Sequence, residues 1–436
     1  MIAQRPELPA EIAATLVDGA AYADDRIHDA YRWLRENAPL AVATAPGFDP
    51  FWAVTRHADI LRISQNNALF PSGELATVLS DQANSARVRE ITGTPHLVKS
   101  LVQMDGAEHR SYRALTQAWF MPGSIRKRED AIASLADEAA AGFAALAGPD
   151  GTGRCDFVSD VAMAYPLKVV MQILGVPDSD YGRMLRLTQE LFGPSDPDTA
   201  RAVAAMSTAD YLQMLMATVA DFTAYFEGIS ADRRANPRDD LASLIANATI
   251  DGQPIGSFEA MGYYIIVATA GHDTTSSSTS AAMWALATQP GLLDRIRADL
   301  TLVPALVEEA IRWATPVRTF MRSAAEATEI GGQAIARGDW LMLCYASGNR
   351  DEAVFAEPDR FDIDRKPNPQ IAFGSGGHTC LGQHLARAEM RALFERLIPR
   401  IASVALDGEP RSVISTFVTG LKTLPIRFTL ARVGLT

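Results

Sequence analysis

The chain has 436 residues, 48% of them hydrophobic, which is ample apolar surface for a large core. Its formal net charge of −12 argues against nucleic acid as a partner. Cys155, Cys344 and Cys380, irregularly spaced, form no disulfide framework and fit a reducing compartment.

Residues 1–20 carry acidic side chains and no uninterrupted apolar core, and no run approaches the roughly 20 apolar residues that span a bilayer. A cytoplasmic protein without signal peptide or membrane anchor is expected. No Pro/Gly/Ser-rich linker or charge block divides residues 1–436, so one large domain is predicted. A helix is expected over 25–36, where Ile27, Tyr31 and Leu34 share a face. A strand at 51–54 and a short helix at 57–64 follow. The stretch 71–103 is polar and weakly periodic. Residues 104–113 (MDGAEHRSYR) open a helix capped at Asp105 or Gly106. On it His109 and Arg113 lie four apart, in isolation an ordinary solvated basic face.

From 130 to 250 the pattern is mainly helical. Residues 263–278 (YYIIVATAGHDTTSSS) read as part of one long helix without proline. Buried hydroxyls there are costly unless satisfied. Bonds back to carbonyls four residues earlier would account for Thr274 and Thr275, but not for Asp273 beside them. Glu309 and Arg312 stand at the i, i+3 spacing of helix partners. An extended crossing at 316–320, strands at 328–335 and 340–345, and a hairpin tip at 415–420 complete the chain.

The stretch with the strongest chemical content is 373–387, FGSGGHTCLGQHLAR. Gly374, Gly376 and Gly377 permit positive φ and close approach of the backbone to a ligand. The pattern turns helical from Leu381, so Cys380 lies where a glycine-rich loop feeds a helix N-terminus. Free amides and the positive end of the dipole favour a thiolate there. A thiolate so held is a good axial ligand for haem iron. Gly382 would let a flat macrocycle lie close, Phe373 could shield the sulfur, and His378 could offer a donor to carboxylates around the metal. Two blander readings compete. A lone Cys is often an inert buried residue, and His378, Cys380 and His384 form a partial zinc set that lacks a further ligand cluster.

The ordered pattern Phe373, Gly376, His378, Cys380, Gly382 resembles the haem-binding signature of the cytochromes P450, and the resemblance extends over nearly the whole chain. It implies a mainly α P450 fold with a small β-rich lobe. Residues 1–103 and 320–345 would contribute that lobe and the lid, and 104–319 with 346–436 the helical haem-binding core. It implies haem b ligated by Cys380 and cradled by Phe373, Gly374, His378 and Gly382. His109 and Arg113 would bind one propionate and Arg322 the other. Ala270 and Gly271 would leave room for O₂, Thr274 would donate to the distal oxygen, and Asp273 would relay protons. Glu309, Arg312 and Arg360 would form a structural brace. Pocket candidates are Phe192, Ile266, Thr269, Ala270, Val317, Thr319, Phe320, Phe417 and Val418; Arg318 stands beside them as an ambiguous charge. Residues 185–228 would supply lid helices.

The same resemblance implies electrons from NAD(P)H through a reductase and a [2Fe–2S] ferredoxin, since no dinucleotide fingerprint follows a strand. The runs ATAGHDTTSSS, AYPLKVVM, SIRK and FVTGLKTLPIRF are similar to those of the terpineol-hydroxylating branch. A monomer acting on a monoterpenoid, alkylbenzene or fused-ring arene is therefore expected. Steroid oxidation is the alternative substrate class. An H₂O₂-dependent peroxygenase or a gas sensor would not need the Asp273–Thr274 pair.

Overall fold

The computed structural model describes residues 5–192 and 208–431. Strands β1 (Leu40–Ala43), β2 (Phe51–Val54), β3 (Thr319–Ser323) and β4 (Trp340–Cys344) form one sheet in the order β1-β2-β4-β3. The β2–β4 pair is parallel and the others antiparallel. Strands β1, β2 and β4 read as continuous apolar runs because both faces of the sheet are covered. Alternate residues divide between two cores. Ala41, Ala43, Phe51, Met321 and Met342 pack with Tyr22 and Tyr31 from the N-terminal helices, and buried Cys344 joins them. Leu40, Val42, Trp52, Leu341 and Leu343 pack with Ile60 and Ile63 on the opposite side.

The strand expected over 328–335 is a hairpin of two short strands, Thr328–Ile330 and Gln333–Ile335. Gly331 and Gly332, at φ 55° and 79°, make the turn. The weakly periodic stretch 71–103 contains a helix, Gln82–Thr92, that buries none of its residues. A helix without a buried face shows no apolar period. Its ends are instead marked by Asp81, which accepts from the Asn84 amide, and by left-handed Gly93.

Six helices position the site: α1 (Gly106–Gln117), α2 (Ala164–Leu174), α3 (Ser257–Ala270), α4 (Asp273–Thr288), α5 (Val303–Ala314) and α6 (Gln383–Leu397). Helix α4 packs against α5 and α6, and its buried residues 275–282 are Thr, Ser and Ala only. Small side chains let the neighbouring backbones approach. A second sheet, with Pro425–Leu430 between Ile401–Leu406 and Thr152–Asp156, closes the far end of the same core. Among the described residues no helix is long and apolar enough to cross a membrane.

The long helix expected over 263–278 is broken. Helix α3 stops at Ala270 and α4 starts at Asp273, with His272 at φ −92°, ψ −72° between them. Hydroxyls compete for the helical carbonyls here: Thr269 donates to Ile265 O at 2.6 Å and Thr274 to Ala270 O at 2.8 Å. Gly271 permits the break to press on α2, since a Cβ there would lie 2.5 Å from Val170 Cγ2.

Candidate active site

The loop before α6 is shaped by its glycines. Gly374 and Gly376 have φ of 68° and 73°, and a Cβ on Gly376 would sit 2.2 Å from the Ser64 carbonyl. The loop closes when the Cys380 amide donates to the Phe373 carbonyl at 2.8 Å. The Phe373 ring lies 4.4 Å under the Arg387 guanidinium, which is itself paired with Glu308.

Cys380 is exposed and lines the cavity. Burial raises its thiol above the usual range, and the amides of Gly382 and Gln383 with Arg113 and Arg387 only partly offset that. The Gly382 and Gln383 amides act in the direction that the loop position predicts, against desolvation of the charged form. A metal bound there would supply the opposite charge, since a ligating thiol is deprotonated outright.

Facing the cysteine loop across a cavity of about 410 Å³ is the α3–α4 break. Thr269, Ala270, Gly271, Asp273 and Thr274 all line this wall. The Thr274 hydroxyl donates to Ala270 O at 2.8 Å, which leaves its oxygen free to accept as well.

At one edge His109 and Arg113 of α1 meet His378 and Arg322 from distant parts of the chain. His109 is buried with Nε2 unpartnered, and burial, His378 and Arg113 push its pKa down to about 4. It is therefore neutral at pH 7. Its ring stands 4.2 Å from that of His378, whose Nε2 lies 3.6 Å from Asp105. Asp105 is the N-terminal cap residue of α1, yet its carboxylate accepts from the Ser72 and Gly73 amides instead. Arg113 donates to Thr379 O at 2.7 Å. Arg322 donates through Nη1 to Met321 O and leaves Nε buried and unpartnered.

These features fit a haem. The cavity offers a thiol on one wall, orphaned buried donors (His109 Nε2 and Arg322 Nε) at one edge, and apolar surface elsewhere. A Cβ added at Gly382 would meet no protein atom within 4 Å, so that side of the cradle is open for a flat ring.

Of the pocket candidates, Ile266, Thr269, Ala270, Val317, Phe320, Phe417 and Val418 line the cavity. Val317 and Val418 are joined by an antiparallel bridge, and Phe320 meets Phe417 edge-to-face at 5.2 Å. Thr319 is corrected: strand alternation sends Phe320 and Arg322 into the cavity and Thr319 away from it, where its hydroxyl donates to Thr416 O. Arg318 likewise leaves the pocket and bonds Thr419 Oγ1. Phe192 ends the helix Tyr181–Phe192, and its side chain lies outside the described residues.

The brace is also corrected in one member. Glu309 and Arg312 are buried and doubly bonded, at 2.7 and 2.8 Å. Arg360 is 62% exposed and pairs with Glu357 instead. Arg365 is the second arginine at Glu309, at 3.4 Å, while Arg360 offers Arg312 only its carbonyl.

The site also holds a buried carboxylate that the sequence reading does not anticipate. Glu389 is buried against the cavity, and burial raises its carboxyl well above the usual range, with a hydrogen bond to Thr275 opposing. Its signal was present: Leu385, Glu389 and Leu393 form the i, i+4 stripe that α6 buries.

Comparison with known proteins agrees with this geometry. The Cytochrome P450 family model matches residues 74–428. The chain is 46% identical to Cytochrome P450-terp of a Pseudomonas species, covering 98% of this chain and 99% of that one. It is 32% identical to Linalool 8-monooxygenase of Pseudomonas putida, over 92% of this chain and 95% of that one. The crystal structure of CYP108D1 from Novosphingobium aromaticivorans superposes with a TM-score of 0.89 at 45% identity, covering 98% of this chain and all of that one. The chain belongs to the cytochrome P450 family. It is a P450 monooxygenase that uses haem b.

Proposed function

We propose that this monooxygenase hydroxylates a small apolar molecule, a monoterpenoid first among them, with alkylbenzenes and fused-ring arenes in the same size class. The observation that carries the reading is the wall opposite Cys380. There Ile266, Val317, Phe320, Phe417 and Val418 enclose the space beside the α3–α4 break with hydrocarbon. Burial of an apolar ligand against such a wall contributes roughly 25 cal/mol per Å². The likeness to a linalool monooxygenase supports an oxygenated terpene.

In this reading Cys380 ligates the haem, and His109, Arg113 and Arg322 hold its propionates. Thiolate-bound haem supplies the iron at which O₂ is reduced and one oxygen atom is made available for insertion. The protein's own part is positioning and proton supply. Asp273, 29% exposed toward the cavity, moves protons inward. Thr274 accepts a hydrogen bond at the wall and fixes the last water or hydroxyl donor beside it. His109 contributes a donor beside the two arginines.

Electrons come from a [2Fe–2S] ferredoxin and its NAD(P)H-dependent reductase in the cytoplasm. Exposed Arg110, Arg126 and Lys127 on and after α1 stand out on a chain of net charge −12 and suit an acidic partner.

An absorption titration of the ferric protein tests the substrate class. Monoterpenoids should move the Soret band toward its high-spin position at the lowest concentration, ahead of arenes and a steroid enone. A shift with the steroid alone would refute the small-substrate reading. Cys380→Ser should abolish the thiolate spectrum, and a variant that keeps it would refute the ligand assignment.

A further inference from the structure

His272 is wholly enclosed in the two-residue break between α3 and α4. Its two ring nitrogens face different acceptors. Nε2 lies 3.0 Å from the backbone carbonyl of Met163, and Nδ1 lies 3.1 Å from Oδ1 of Asp273. A backbone carbonyl only accepts, so Nε2 carries a hydrogen. An ionised carboxylate also only accepts, so the second contact needs a hydrogen between Nδ1 and Oδ1. The distance is right but the alignment is not, and Nδ1 stands buried without a well-directed partner. The Asp273 side chain also borders the cavity.

Adjacent residues on an unbroken helix do not face each other. His272 and Asp273 meet only because the helix is interrupted at Gly271 and His272, and because Gly271 lets that interruption press on α2. Met163 immediately precedes α2, so the same packing supplies the carbonyl that fixes the ring.

We propose that His272 is a positioning residue for Asp273. The Met163 carbonyl sets the angle of the imidazole, and Nδ1 tethers one carboxyl oxygen, so that the other is directed toward Thr274 and the cavity. The proposal rests on the proton-supply reading of Asp273 given above.

Two amide replacements separate the two contacts. In His272→Asn the amide reaches the position of Nδ1 and keeps a donor toward Asp273. In His272→Gln it reaches the position of Nε2 and keeps only the bond to Met163. With haem-loaded protein, substrate, ferredoxin and reductase, the readout is product formed per NAD(P)H consumed, with the solvent deuterium isotope effect on turnover. His272→Gln should lower this ratio about tenfold and raise the isotope effect, and His272→Asn should lower it about twofold, the loss expected of a misdirected proton donor. The reverse order, or equal losses, would mean that His272 serves only to pack against Met163. Asp273→Asn is measured alongside. If it uncouples the enzyme while both His272 variants do not, the positioning role fails alone; if it has no effect, the proton-supply reading fails as well. A readout independent of turnover is the nitrogen-15 shift of the His272 ring in the diamagnetic ferrous CO form. It should change on Asp273→Asn, and an unchanged ring would overturn the tether.

Discussion

Glu309→Gln tests the reasoning about the buried brace most directly. Glu309 receives five donors on two oxygens: Arg312 Nη2, the Asp362 amide and Arg365 Nε at Oε1, and Arg312 Nε and Asn368 Nδ2 at Oε2. Arg312 in turn holds the carbonyls of Asn349, Pro358 and Arg360. Neither side chain of the pair is more than 1% exposed. Glutamine turns one oxygen into a donor, which sets at least two existing donors against it and leaves a buried guanidinium without its counter-charge. Breaking a buried pair in this way costs about 3–5 kcal/mol. With about 2.1 cal/mol/K of unfolding entropy per residue, the 436-residue chain has an unfolding entropy of ~0.9 kcal/mol/K. The melting temperature should therefore fall by about 3–6 °C. Calorimetry on haem-loaded protein measures it. A fall of less than about 1 °C would refute the claim that the pair is electrostatically closed.

Three further outcomes follow from the geometry. Thr274→Ala removes the hydroxyl at the helix break and should send electrons to peroxide, lowering product per NAD(P)H about tenfold; unchanged coupling would deny Thr274 its role. Gly376→Ala forces a Cβ toward the Ser64 carbonyl at φ 73°, so stability should drop by about 1–3 kcal/mol and haem should be lost on gel filtration, whereas full retention would show that the loop can move. Glu389, whose folded pKa is raised, holds a proton that the unfolded chain releases. Its contribution therefore falls as pH rises from the ordinary carboxylate value toward the folded one. Glu389→Gln should remove a slope of up to ~1.4 kcal/mol per pH unit from stability above the ordinary carboxylate range, and parallel stability–pH curves for the two proteins would sink the assignment.

What the sequence determined by itself is local. The order Phe373, Gly376, His378, Cys380, Gly382 is read without coordinates because a turn needing positive φ, then a ligand, then a helix start occupies one short segment. The strand at Phe51–Val54 and the helix carrying His109 and Arg113 were legible for the same reason: backbone preferences and side-chain periods act over a few residues. The tertiary structure decided whatever depends on partners far along the chain. Arg365 rather than Arg360 reaches Glu309 because the path of residues 357–365 is set by packing, not by spacing. Thr319 turns away from the cavity because its strand is registered against Trp340–Cys344, and a register slip of one residue would have reversed it. Residues 263–278 look like one helix by composition. They break at Gly271 because hydroxyls and the face of α2 compete for that backbone, and the break brings His272 against Asp273. The thiol of Cys380 shows the same division. Its loop amides favour a charge, whereas desolvation is a property of the whole surrounding fold.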